Sequence, residues 1–315
     1  MFYDVSPAIG NISTVVHNLV FYLSEHPAIV NFRWSNTQLW GSTWLFLVIS
    51  LAAYLLISLL LHQSLAFLLR PTRTVPLGPV PALHSLTMVL ISVTIFVGML
   101  LSAAAEIRDT RWFWRRSKTP LQWFLCFPLG TRPSGRVFFW SYLYYLSQFF
   151  HMCRTIFTIL QRRKLGMFQL FNHSISTFMA FSWLEFSQSF QVAAILATTM
   201  MYSVVYGYRF WTAMGLRSAC FPLVLRCQLV LVGCNVACHV GVLLLHFFRG
   251  GCNGIGACYF NSILNFGVLL LFLNCYVRLK DGGRKSGKDK GESTARSYGH
   301  HQRLAPSVRS RKGQH

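Results

Sequence analysis

The sequence predicts an all-α integral membrane protein of about seven transmembrane helices, and three observations carry that prediction. Hydrophobic residues fill 53% of the 315 positions and charged residues only 12%. The apolar residues fall in long blocks, and the charged residues gather in the connections and in one terminal tail. A helix must cover roughly 30 Å of hydrocarbon with about 20 apolar residues, because lipid offers its backbone no hydrogen-bond partner.

Seven segments qualify: residues 41–62, 84–105, 137–160, 167–185, 190–210, 223–247 and 259–276. They divide the chain into an N-terminal flank (1–40) expected in a lumen, a seven-span membrane domain (41–277) and a basic, disordered cytosolic tail (278–315). The flank has no basic stretch followed by a continuous apolar run, so it does not read as a cleaved signal peptide. Its Asn11-Ile12-Ser13 is an N-glycosylation pattern that is usable only in a lumen. From Arg278 to Lys312 eleven basic residues stand against three acidic ones. Such a segment cannot bury a core, and the positive-inside rule places it in the cytosol. An odd number of spans then separates the two termini.

The net charge of +21 therefore speaks of membrane orientation, with attraction to anionic lipid as the functional reading, and argues against nucleic acid as a partner. One connection opposes the scheme. Residues 106–136 carry seven Lys or Arg, yet seven spans with a cytosolic tail place them in the lumen. Trp112, Trp114 and Trp123 in that connection suit a membrane interface, and Pro128, Gly130, Pro133 and Gly135 make it turn-rich.

Nine cysteines follow no metal spacing, and no metal is expected. Most lie in or beside apolar spans as small buried hydrophobes. Cys252 and Cys258 flank a short connection expected in the lumen, where a disulfide would close the loop. Di-iron chemistry is disfavoured, because it needs many histidines at close spacing. The pair His300-His301 falls in the tail and reads as incidental.

Polar stripes on three successive spans imply a shared site inside the membrane. Gln148-x-x-His151-x-x-Arg154-Thr155 lies on one face of the third span, since residues three and four apart are neighbours on a helix. The basic turn Arg162-Arg163-Lys164 follows, then Gln169-x-x-Asn172-His173 on the fourth span. Thr198, Tyr202, Tyr206 and Tyr208 continue the pattern on the fifth.

This order resembles the ELO family of very-long-chain fatty acid elongases, as a divergent, plant-type member with degenerate catalytic motifs. That family carries K-x-x-E-x-x-D-T, a basic turn, the box H-x-x-H-H, then N-x-x-x-H-x-x-M-Y-x-Y. Here Gln148, His151, Arg154 and Thr155 occupy the first motif with only the threonine kept, and Gln169, Asn172 and His173 occupy the box with one histidine of three. Thr198 stands for the asparagine, Tyr202 for the histidine and Val205 for the methionine, while Tyr206 and Tyr208 match. Gln228 looks like the first glutamine of T-x-x-Q-x-x-Q, and Phe272-Leu273-Asn274-Cys275-Tyr276 resembles the family's last-span ending.

The resemblance implies one peripheral helix plus six in a 3+3 inverted repeat around an acyl tunnel. It also implies an endoplasmic-reticulum protein that condenses malonyl-CoA with a long acyl-CoA to 3-oxoacyl-CoA, for fatty acid and sphingolipid synthesis. No redox cofactor is implied, because loss of CO2 drives carbon–carbon bond formation. Homodimers or other members of an elongase complex are the implied partners, besides acyl-CoA and membrane lipid. In the family the acyl group is expected to pass through a histidine nucleophile.

That expectation makes the replacements decisive. An imidazole can attack a thioester and leave again near neutral pH, whereas an amide is a poor nucleophile and a phenol of ordinary pKa about 10 stays protonated. Asn172 and Tyr202 hold the two positions where histidine would do acyl transfer. His151 has appeared where the family has glutamate. It acts with His173 if the helices bring the two together, or it is a hydrogen-bonded interior residue.

In an active enzyme, His173 and His151 are the acid–base or nucleophile candidates, and Gln148, Gln169 and Asn172 would position the thioester. Arg154 either snorkels to the interface or, with Arg162, Arg163 and Lys164, holds the CoA phosphates. The same basic turn also reads as an orientation anchor, and Tyr206, Tyr208 and Phe210 read as tunnel lining or as packing. Two functions remain: a condensing enzyme with an altered site, or a non-catalytic elongase-like protein that binds acyl chains or modulates a partner elongase. A seven-span receptor or transporter would leave the order of the three motifs unexplained.

Overall fold

A computed structural model describes residues 6–68, 77–110, 120–161, 167–215, 221–271, 273 and 274. It divides the chain into a compact unit, Met1–Phe266, and a second unit, Gly267–His315, of which seven residues are described. The predicted tail, with Arg278 to Lys312, lies outside the described residues, as does the basic turn Arg162-Arg163-Lys164.

Helices fall in all seven expected segments, of which the last, 259–276, runs past the described residues. They are α3 (Trp44–Leu68), α4 (Val80–Thr110), α6 (Arg136–Leu160), α7 (Met167–Glu185), α8 (Gln191–Ala213), α9 (Phe221–Arg249) and α10 (Ile255–Leu271). The N-terminal flank is itself helical at α1 (Ser6–Val20), runs through one π-turn at Phe21–Glu25, and adds α2 (Pro27–Val30). A short α5 (Pro120–Leu125) sits in the long connection before α6. Among the described residues no strand forms beyond one antiparallel bridge between Arg33 and Ser134.

Among the described residues, three helices are long and apolar enough by length and composition to cross a membrane: Trp44–Phe67, Val80–Asp109 and Leu229–Phe248. Only 17% of the apolar window of α3 and 11% of that of α9 is buried, so their outer surfaces need lipid to cover them. Leu45, Phe67, Val230 and Phe247 are among the exposed apolar side chains. By contrast α6 is buried along a face that carries Tyr144, Gln148, His151 and Thr155, and these polar groups dilute its hydropathy. Polar residues on such helices are tolerated because the bundle, not lipid, surrounds them.

α4 packs chiefly on α8 and α6. Gly98 permits this approach, because a Cβ there would run into the Trp140 indole. Trp140 belongs to the main core with Leu47, Met99, Tyr145, Phe181, Leu184 and Ile195.

At one end of the bundle the flank is tied to the connections. Trp34 N donates to Pro133 O at 2.9 Å, and Trp34 Nε1 donates to Glu185 Oε2 at 2.9 Å. Part of the excess charge of residues 106–136 is neutralised here. Arg136 meets Asp109 at 2.7 Å and Glu106 at 3.7 Å, and Arg108 meets Glu25 at 3.2 Å.

The disulfide at this end joins Cys126 to Cys252. This corrects the expected Cys252–Cys258 pairing. Cys252 sits ahead of α10 against the loop after α5, whereas Cys258 lies a turn inside α10 as a buried thiol, its Sγ 4.0 Å from His239 Nδ1. Asn253, next to the disulfide, seals the same end. Its Oδ1 accepts from Gly130 N at 3.1 Å and its Nδ2 donates to Ser187 O at 3.0 Å. Its backbone N donates to Phe127 O at 2.8 Å, and Ser189 Oγ donates to its carbonyl at 2.8 Å.

Candidate functional site

The interior polar site is built by α6, α7 and α8, with α3 and α4 beside them. On α6, Tyr144, Gln148, His151 and Thr155 fall at intervals of three or four and so line one buried face. His173 comes from α7, which runs antiparallel to α6 after a short connection. His151 Nδ1 and His173 Nδ1 are 2.9 Å apart, with ring centroids at 4.4 Å. Both residues are 3% exposed. Their two Nε2 atoms are buried and have no hydrogen-bond partner among the described residues.

Two imidazoles joined through Nδ1 can share only one proton on that bond. The donor ring then carries a lone pair on Nε2, and the acceptor ring carries its proton on Nε2. A neutral pair therefore offers the interior one nucleophilic nitrogen and one N–H donor. Neither Nε2 is spent on a structural bond.

Tyr202 from α8 packs on His151 with centroids 4.4 Å apart, and its hydroxyl reaches Gln148 Oε1 at 3.5 Å. Tyr206 stands edge-on to His151 at 5.1 Å, and the Arg154 guanidinium lies over the Tyr206 ring at 5.9 Å. Arg154 thus lies against the same tyrosine that packs on His151. Gln169 donates to Thr155 Oγ1 at 3.3 Å and to Thr158 Oγ1 at 3.4 Å, which bridges α7 to α6.

Other expected residues fall elsewhere. Asn172 is half-buried and projects about 100° round α7 from His173 at 3.6 residues per turn. Thr198, by contrast, stays on the site face: it donates to Ala194 O at 2.7 Å and also hydrogen-bonds Tyr144. Tyr208 packs with Met201, Val205 and Val224 in a separate apolar cluster. Gln228 occupies α9, and its side chain lies outside the described residues.

Several contributors came from outside the motifs. Tyr54 of α3 bonds Thr155 Oγ1 at 2.7 Å, and His84 of α4 meets Phe150 O at 3.0 Å with its ring 6.0 Å from Tyr206. Each has hydroxyl neighbours on its own helix, Ser58 four residues after Tyr54 and Ser85 beside His84, but neither belongs to one of the three motifs. Tyr144 did carry a signal, since it lies four residues before Gln148 on the same face; it stacks on Trp183 at 5.8 Å. Among the described residues no three His, Cys, Asp or Glu side chains gather as a metal site.

Fold and site together define an all-helical membrane protein with a cluster of polar side chains buried within its own helix bundle. Residues 39–286 match the sequence profile of the ELO family, described as the GNS1/SUR4 family. The chain is 60% identical over 276 residues to "Fatty acid elongase 3-like" of Arabidopsis thaliana, covering 87% of this chain and 96% of that one. It is 24% identical over 275 residues to "Fatty acid elongase A" of Dictyostelium discoideum, covering 84% and 93%. It also resembles "Long chain fatty acid elongase 1" of Caenorhabditis elegans, at 25% identity over 157 residues, 48% of this chain and 54% of that one. The chain belongs to the ELO family of fatty acid elongases.

Proposed function

We propose that this protein is a condensing enzyme, a 3-oxoacyl-CoA synthase acting on long acyl-CoA and malonyl-CoA, whose nucleophile site is rebuilt around His151 and His173. The single observation that carries the reading is the 2.9 Å Nδ1–Nδ1 contact, which leaves both buried Nε2 atoms without partners. In the proposed first step the lone-pair Nε2 attacks the thioester carbon, and the C–S bond breaks. The Nδ1 proton of the acylated ring crosses to the partner ring, whose Nε2–H then protonates the departing CoA thiolate. In the second step malonyl-CoA loses CO2, its carbon attacks the acyl-imidazole, and the C–N bond breaks to release 3-oxoacyl-CoA; the partner ring returns its Nδ1 proton to the imidazolate left behind, and a proton taken up from water at the partner's Nε2 replaces the one that left with the CoA thiol. Gln148 and Tyr202 would orient the thioester, and Arg154 would carry charge toward the CoA phosphates. No metal or redox cofactor enters these steps.

We place the protein in the endoplasmic reticulum with seven crossings, α3, α4 and α6 to α10, six of them around the acyl site as two inverted three-helix units. The pairing of α4 with α8, the leading helices of those two units, supports that arrangement. Seven crossings put the flank, Cys126 and Cys252 on one side, and disulfides persist in an oxidising lumen. The basic tail then faces the cytosol, where CoA substrates arrive.

The test is condensation of radiolabelled malonyl-CoA with a panel of acyl-CoAs in nanodiscs, beside a His151→Ala, His173→Ala double variant. Product from the wild type and none from a folded double variant supports the reading. Absence of wild-type product from a protein that binds acyl-CoA rejects it in favour of a non-catalytic elongase-like modulator, the reading that Asn172 and Tyr202 favour.

A further inference from the structure

Gln191 opens α8 and is fully buried, and neither its Oε1 nor its Nε2 has a partner among the described residues. An interior amide with both ends unmatched is costly, and buried polar groups are otherwise paired almost without exception. Its position is informative. Gln191, Thr198 and Tyr202 are spaced by seven and four residues, so they fall on one face of α8, the face that meets His151. Tyr202 is eleven residues along the helix from Gln191, about 16 Å at 1.5 Å per residue. Thr198 and Tyr202 along this line keep some accessible surface although α8 lies among other helices.

A second unmatched group lies at a similar depth. The buried Trp183 Nε1–H has no partner among the described residues, and Trp183 is ten residues, about 15 Å, along α7 from His173. Its ring stacks on Tyr144 of the site face. One end of this interior line therefore holds the reacting groups, and the other holds an unmatched amide and an unmatched indole N–H.

From this placement we infer that Gln191 reads the far end of the acyl chain, and that the preferred substrates are long acyl-CoAs carrying a terminal hydroxyl. An aliphatic methyl would leave the Gln191 amide unmatched. A hydroxyl offers one donor to Oε1 and lone pairs to Nε2–H or Trp183 Nε1–H. A terminal carboxylate would bury a charge that a neutral amide cannot balance. The inference rests on the acyl-chain reading of this interior, and concerns only which chain it takes.

The experiment titrates thioether analogues of acyl-CoA against the full chain in nanodiscs, over a series of lengths, in pairs ending in methyl or hydroxyl. The matching thioesters are then offered with radiolabelled malonyl-CoA. A site built to bond a substrate hydroxyl discriminates strongly against its absence, so the hydroxyl-ended chain is expected to bind about tenfold tighter or more. Gln191→Leu should erase or invert that ratio; Gln191→Met replaces it if the leucine variant does not fold. Equal affinities, a methyl preference, binding of neither chain, or a preference that survives Gln191→Leu overturns the inference, the amide then being satisfied by internal water. A Gln191-dependent preference without 3-oxoacyl product rejects the condensing-enzyme reading and keeps the terminus site. Product formed with no preference does the reverse.

Discussion

The sealed end of the bundle and its reactive interior use the same kinds of polar group to opposite effect. At the sealed end, Asn253 satisfies its side-chain oxygen and amide and both backbone groups, and the Cys126–Cys252 disulfide fastens the loop after α5 to the start of α10. In the interior, His151 and His173 satisfy only each other and leave two buried nitrogens open. A fully matched network fixes shape, because every alternative arrangement would lose hydrogen bonds. An unmatched one spends stability to keep chemistry available, the usual mark of a functional site.

The comparison is broken most sharply by removing the histidines. The His151→Ala, His173→Ala variant should lose about 10²–10⁴-fold in condensation rate, the span typical of positioned acid–base groups, while its melting temperature in detergent stays near that of the wild type. A large fall in melting temperature would make the pair structural instead. Cys126→Ser with Cys252→Ser should behave in the opposite sense. It should cost about 2–5 kcal/mol of stability, read as a lower midpoint of thermal unfolding, with condensation per folded molecule little changed.

Smaller effects sharpen the contrast. Gly98→Ala forces a methyl into the Trp140 indole, and overpacking of this kind costs about 1–3 kcal/mol. Thermal unfolding with acyl-CoA bound and unbound would separate this loss of packing between α4 and α6 from loss of the site. Tyr202→Phe removes the hydroxyl that reaches Gln148 Oε1 at 3.5 Å and hydrogen-bonds Tyr144. It should change kcat by about thirtyfold or less, near the worth of two hydrogen bonds; a loss as large as that of the histidine variant would make Tyr202 the reacting group.

Much of the fold was legible because the signals were local. Length and hydropathy marked all seven helices, and the i, i+3, i+4 spacing on α6 marked Gln148, His151 and Thr155 as one buried face. The tyrosine motif divides between two faces of α8. Tyr208 lies two residues from Tyr206 and therefore faces away from it, into the α8–α9 cluster. Tyr54 and His84 were missed because each finds its partner on another helix, a contact that no spacing within its own helix encodes.

The sequence by itself determined an apolar helical membrane chain of the ELO family, because hydropathy, helical period and motif order are properties of neighbouring residues. Only the tertiary structure decided that His151 and His173, 22 positions apart, meet at hydrogen-bond distance, and that Cys252 chooses Cys126 across 126 positions over Cys258 close by. Contacts of that separation depend on how the helices pack against one another, and no local pattern in the chain encodes the distance between two faces.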